Sequence, residues 1–166
     1  MTDFSRTRKL FVLPSGVTYL DGNSLGPLPK SAVEAVDRTM REEWGQSLIR
    51  AWNTCGWIEK PRTVGDRIGR LINAAPGSVI VGDTLSIKVF QALASAIRMR
   101  PGRSIVLSDD GNFPSDLYVA QGLVDLLGGG LELRMVPHEG VAAAICDQVA
   151  VVLLSQVDYR TGQLHD

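Results

Sequence analysis

The stretch RSIVLSDDGNFPSDLY, residues 103–118, decides how the rest of the chain is read. It opens on a short apolar run and reaches Pro114, whose fixed φ and missing N–H suit the first position of a helix. A helix is expected from Pro114 to Leu127, so the stretch reads as a strand handing over to a helix. The loop between them carries a large aromatic, a proline and a carboxylate where small turn residues would suffice. Outward from this unit the same rhythm repeats. SVIVG (78–82), LELRMV (131–136) and VAVVLLS (149–155) are further apolar runs, with helix-length segments at 86–99 and 140–146. Apolar strands separated by helices imply βα units and a largely parallel sheet covered on both faces. The β-branched density of residues 149–152 places the last strand near the sheet's centre.

Upstream of the sheet the pattern is helical. Residues 31–44 place Val33, Val36, Met40 and Trp44 on one stripe, with Glu34, Asp37, Arg38 and Arg41 on the other faces. Residues 60–74 give a second helix whose inner stripe is expected to be Val64, Ile68, Leu71 and Ile72. The division that follows is 1–75 for an N-terminal helical part and 76–166 for the first half of an α/β domain. The chain stops after a strand and loop with no covering helix, and an open parallel edge is one that finished domains usually hide. A piece of something longer is therefore expected.

Composition narrows the classes of function. With 166 residues, 45% hydrophobic, the chain can bury an ordinary core. A formal charge of −1 gives no electrostatic case for nucleic acid or an anionic membrane. No apolar run is long enough for a membrane span or a signal-peptide core, so a cytoplasmic protein is the expectation. Cys55 and Cys146 lack paired spacing and are accompanied by only His138 and His165, which makes reduced core thiols the expectation rather than metal ligands.

Ligands of parallel α/β sheets bind beyond the carboxyl ends of the strands, which directs attention to four loops: GDTLS (82–86), SDDGNFPSD (108–116), VPHEG (136–140) and SQVDYRTG (155–162). GDTLS joins a glycine and two hydroxyls to a helix start. Free N–H groups and the helix dipole there suit a phosphate, and plain capping by Asp83 or Thr84 explains the same residues. No GxGxxG or GxxxxGK[ST] motif is present. YLDGNSLGPLP (19–29) reads as a fixed turn presenting Asn23 and Ser24, and turn chemistry alone accounts for it. RAWNTCGW (50–57) gathers Arg50, Trp52, Asn53 and Trp57, which suit either an aromatic carboxylate ligand or helix packing.

Together these stretches carry a resemblance. YLDGNSLGP, WGQSLIRAWN, GDTLS, NFPSDLY and SQVDYRTG, in this order and at these separations, resemble the N-terminal part of the kynureninase family. That resemblance implies a pyridoxal-phosphate hydrolase of the aspartate-aminotransferase fold (fold type I). It implies that Phe113 stacks on the cofactor ring beside Pro114, Ser115 and Asp116, that Leu85 and Ser86 hold the phosphate, and that Ser155 lies near the ring oxygen. Asn23, Ser24, Arg50, Trp52 and Asn53 would face a substrate, L-kynurenine or its 3-hydroxy derivative, in a homodimer. The reaction implied is hydrolysis of L-kynurenine to anthranilate and L-alanine in tryptophan catabolism. The family's Schiff-base lysine is expected beyond Asp166, so no catalytic residue is assigned within the chain and the chain alone is expected to be inactive. Lys88, just inside the helix after GDTLS, is expected to face solvent. The alternatives are another fold type I enzyme, such as a cysteine desulfurase or aminotransferase, and a non-catalytic remnant. The desulfurases and aminotransferases usually place a histidine where Phe113 stands.

Overall fold

The computed structural model describes residues 3–164, and His165 lies outside them. The chain forms two compact units, Met1–Val81 and Gly82–Asp166.

In the first unit a short helix, α1 (Ser5–Arg8), leads into strand β1 (Phe11–Val12). This strand pairs antiparallel with β2 (Leu28–Pro29), Phe11 opposite Pro29. Two residues are too few for an alternating pattern, so this pair left no trace in the sequence. Pro29 ends the strand and, with extended backbone, caps α2 (Lys30–Arg38). The helix expected over 31–44 is present, but it widens into a π-helical turn over Thr39–Trp44 before α3 (Gly45–Ser47). Two further helices follow, α4 (Ala51–Thr54) and α5 (Lys60–Leu71), the latter with proline in its first turn.

Two expectations fail in this unit. The run SVIVG (78–82) is not a strand. It passes along α5, where the Val81 N–H donates to the Pro61 carbonyl at 3.0 Å. The inner stripe of α5 is also not Val64, Ile68, Leu71 and Ile72, all of which are exposed. Gly65 and Gly69 are its buried residues. The physical reason is a close backbone approach: a Cβ on Gly65 would lie 2.1 Å from the Val79 carbonyl oxygen. Bulky side chains therefore turn away and the glycines form the contact.

The second unit is the α/β part. It runs α6 (Leu85–Arg98), β3 (Ile105–Asp109), α7 (Pro114–Leu127), β4 (Glu132–Val136), α8 (Val141–Ala144) and β5 (Val149–Leu153). The three strands form a parallel sheet in the order β4-β3-β5. Val106 pairs with Leu133 on one side and Val151 on the other, with an irregularity beside Ile105. The central strand is thus β3, all five residues of which are buried. β5 flanks it, so among the described residues the central position expected for 149–152 belongs to β3. Alternation along β3 builds two cores. Val106 packs with Leu93, Ile97, Ala120, Leu123 and Val124 of α6 and α7. Ile105 and Leu107 pack on the other face with Val141 and Val149. Each such buried Val, Leu or Ile contributes about 1.5–3 kcal/mol of burial. Both faces carry a core, as expected, but the short α8 covers the second only in part: Val152, opposite Leu107, is 36% exposed.

Neither thiol is a core residue. Cys55 is half-buried and Cys146 exposed, both unbonded to other cysteines. Cys146 sits in the turn that precedes β5, its carbonyl accepting from Val149 N–H at 2.9 Å, with its side chain outward. No described helix is long and apolar enough to cross a membrane.

Candidate functional site

The site lies where β3 and β5 end. Ser108, fully buried near the end of β3, donates its hydroxyl proton to the Leu153 carbonyl at 2.7 Å. Four residues on, Asn112 is buried to 4% exposure and spans the gap between the two strand exits. Its amide nitrogen donates to Ser108 Oγ (3.1 Å) and to the Leu153 carbonyl (3.3 Å). Its amide oxygen accepts from the Phe113 N–H and from the Ser155 hydroxyl, each at 2.8 Å. A buried amide with every donor and acceptor used holds both loops to one geometry.

Phe113 follows directly. It is the N-cap of α7 with extended backbone (φ −61°, ψ 126°), and Pro114 occupies the first helical position. That backbone throws the ring away from its own helix. The residue is 43% exposed, so the ring is not buried against α7. Its ring meets Tyr159 edge-on, centroids 4.9 Å apart at 65°. Asp116 is buried in the first turn of α7, where the helix dipole favours a carboxylate, and accepts from Ser115 Oγ at 3.3 Å.

The SQVDYRTG loop closes the other side. Asp158 accepts from the backbone N–H groups of Thr161 and Arg160, both at 2.8 Å, and from the Arg160 guanidinium at 3.2 Å. Those two backbone bonds, then the guanidinium, hold its carboxyl well below the usual carboxylate range. In return Asp158 raises the guanidinium pKa of Arg160. Between the loops lies a pocket of about 40 Å³ lined by Asp109, Gly111, Asn112, Phe113, His138, Ser155, Val157, Asp158 and Tyr159. A larger cleft of about 400 Å³ adjoins it, bounded by Pro114, Tyr118, Met135, Tyr159 and Arg160 among others.

Of the residues expected here, the pocket brings together Phe113 and Ser155. Pro114 borders the adjoining cleft, whereas Leu85, Ser86, Ser115 and Asp116 line neither. Leu85 and Ser86 open α6. Its N-cap, Thr84, makes no side-chain capping bond, and Asp83 instead faces the Lys88 ammonium at 3.8 Å. The capping alternative is therefore not what the structure shows, and the first-turn amides of this 14-residue helix receive no side-chain cap. Lys88 also donates to Gln91 at 3.0 Å and is partly exposed, as expected of a surface lysine. Asn112, Tyr159 and Asp158 were not singled out in the sequence. The only signal for Asn112 was its place ahead of the Phe-Pro pair.

The first unit carries the remaining expected residues. Asn23 and Ser24 lie in an exposed turn locked from within: Ser24 Oγ donates to Asp21 (2.7 Å), and Tyr19 hydroxyl donates to the Leu25 carbonyl (2.6 Å). Arg50 and Asn53 are exposed, and Trp52 is 50% exposed with its ring edge-on to Trp57 at 6.0 Å. Trp57 is anchored instead. Its indole N–H and the Lys60 ammonium both donate to Glu43 Oε2 at 2.6 Å, and those bonds, Lys60 first, lower the Glu43 carboxyl pKa.

No family model matches the chain. Among curated proteins it is 45% identical over 164 residues to the kynureninase of Burkholderia pseudomallei strain 1106a and 44% identical to that of Pseudomonas fluorescens. Both matches take in 96% of this chain and 39% of the relative's length. Among solved structures it superposes on a C-DES mutant with glycine covalently linked to its PLP cofactor, with a TM-score of 0.72. That match covers 99% of this chain and 43% of the other at 17% identity, which establishes a shared fold. The fold is thus that of part of a PLP enzyme, as the sequence motifs implied, and along nearly its whole length the chain is similar to a 39% portion of kynureninase.

Proposed function

We propose that the chain is part of a pyridoxal-phosphate-dependent kynureninase, an enzyme hydrolysing L-kynurenine or its 3-hydroxy derivative at a carbon–carbon bond to release an anthranilate and L-alanine. The observation that carries this reading is the Phe113 ring, projected from a strand exit by a buried asparagine and a proline, in a chain 45% identical to a kynureninase. The residues present fit the cofactor. An exposed aromatic face suits a flat, electron-poor ring, and uncapped amides at the start of α6 suit a phosphate. When bound, the cofactor would supply an electron sink for bond cleavage at the substrate.

The chain's own contribution is binding and orientation. Phe113 stacks and excludes water, Leu85 and Ser86 hold phosphate through main-chain N–H and hydroxyl, and Ser155 meets the ring's oxygen edge. Pro114, Ser115 and Asp116 fix the helix start that aims Phe113. In the first unit Asn23, Ser24, Arg50, Trp52 and Asn53 are exposed and chemically suited to an aromatic amino acid, and they would serve a substrate pocket completed in a homodimer. The test is a titration of the full-length apo-protein with pyridoxal phosphate, followed by an assay of anthranilate fluorescence on L-kynurenine. Saturable binding and turnover are expected. A full-length protein that binds no pyridoxal phosphate overturns the reading.

A further inference from the structure

Asn112 has four hydrogen bonds, and their chemistry leaves no freedom in its orientation. The Phe113 N–H can only donate and the Leu153 carbonyl can only accept, so the amide oxygen must face the first and the amide nitrogen the second. Flipping the amide would set donor against donor and acceptor against acceptor inside a buried site. The Ser155 oxygen lies 2.8 Å from that fixed amide oxygen, so Ser155 must donate its proton inward. Ser108 is treated alike: its proton goes to the Leu153 carbonyl while it accepts from Asn112. What Ser155 has left for the pocket is lone pairs.

We propose that Asn112 is a positioning residue that ties the stacking aromatic Phe113 to Ser155 and polarises Ser155, so that its hydroxyl accepts a hydrogen bond from the bound ligand. The group of the ligand opposite Ser155 is then a hydrogen-bond donor, such as a protonated ring hydroxyl. This rests on the cofactor reading of the pocket but goes beyond it, because it assigns a residue and a proton direction. The tie is also long-range: Asn112 joins residues 41 and 43 positions away, so one side chain sets the spacing of two strand-exit loops.

The experiment uses the full-length protein with Asn112→Ala, Ser155→Ala and the double variant, and with Ser95→Ala, an exposed α6 hydroxyl bonded to the Gln91 carbonyl, as a control outside the network. In the absence of ligand, Asn112→Ala should speed hydrogen exchange of the Phe113 amide, which Ser155→Ala should leave protected. With pyridoxal phosphate, each single variant should weaken binding by about two- to twelvefold, the worth of one ordinary hydrogen bond. The losses of the two single variants should not add in the double variant, because Asn112 acts on the ligand through Ser155, whereas adding Ser95→Ala should change neither affinity nor exchange. Freed of Asn112, Ser155 can turn its proton outward, so the absorption of bound cofactor should shift toward the ionised ring-hydroxyl form. A folded Asn112→Ala with unchanged Phe113 exchange, affinity and spectrum overturns the proposal. If Asn112→Ala fails to fold, Ser155→Ala decides: unchanged affinity overturns the proposal and the expected loss supports it. Failure of the unaltered protein to bind pyridoxal phosphate sinks the proposed function instead, and the exchange measurement still reports whether Asn112 holds Phe113.

Discussion

Phe113 is exposed because its backbone, and not its hydrophobicity, decides where the ring goes. With Asn112 holding its N–H and Pro114 fixing the next φ, the ring has an open face that a leucine would fill without offering π electrons. In the full-length protein Phe113→Leu should therefore lower pyridoxal-phosphate affinity by about two- to twelvefold, the usual 0.5–1.5 kcal/mol of aromatic stacking, as read by apo-protein titration. Unchanged affinity would reduce Phe113 to packing. Asp158 supports a second expectation. Its carboxyl is held below its ordinary value by bonds that only the folded loop provides. A depressed pKa gives stabilisation that is fully present above the unfolded value, about 3.9, and is lost as pH falls below it toward the folded value. Asp158→Asn should thus destabilise the protein near neutrality and flatten its loss of stability below about pH 4. Thermal melts between pH 2 and 7 would show this, and parallel pH profiles for both proteins would contradict it. The sequence disclosed Phe113 and Ser155 through motif resemblance. It could not disclose Asn112 or Asp158, whose importance lies in which distant or folded-back atoms they meet.

The elements themselves were legible where periodicity and length agreed. The helices α6 and α7 and the strands β3, β4 and β5 stand within a residue or two of their expected bounds, since long amphipathic or apolar runs leave few competing packings. The failure at 78–82 is instructive because an apolar, β-branched run satisfies an extended backbone whether or not a neighbouring strand is there. What decided the case was Gly65, whose missing Cβ lets that segment's backbone come down onto α5. Gly65→Ala should therefore cost on the order of 1–3 kcal/mol or more, because the clash is with a carbonyl and not with a flexible side chain. Gly122, in the exposed middle of α7, has nothing within 4 Å of its would-be Cβ. Gly122→Ala should stabilise by about 0.4–1 kcal/mol through the unfolded chain's lost freedom. Denaturant unfolding of the two variants should move the midpoint in opposite directions. A Gly65→Ala protein as stable as the parent would show that the 78–81 segment is not held against α5.

At the scale of the whole molecule, apolar surface outruns what the two cores cover. The stripe of α2 and its π-helical extension (Val33, Val36, Met40 and Trp44) is exposed, and so are Leu20 (87%), Leu71 (85%) and Ile49 (78%). Single exposed apolar residues are ordinary, but a helix face exposed along its length is the kind of patch that seeks a partner. The sheet adds to this. β5 has a hydrogen-bonded neighbour on one side only among the described residues, and its Val152 and the following Leu154 are more than a third exposed. An unpaired parallel edge flanked by apolar side chains templates further pairing. A domain holds only about 5–15 kcal/mol of net stability, so these uncovered faces weigh heavily against a solitary monomer. The 166-residue chain expressed by itself is accordingly expected to self-associate or aggregate. Replacing Val36, Met40 and Trp44 together by polar residues should raise its solubility without loss of helical signal, because none of the three is buried. Light scattering coupled to gel filtration, read beside far-UV circular dichroism, measures both. A monodisperse, folded monomer at micromolar concentration would mean that the exposed stripe needs no covering and that the homodimer proposed for the full-length enzyme cannot be argued from this surface.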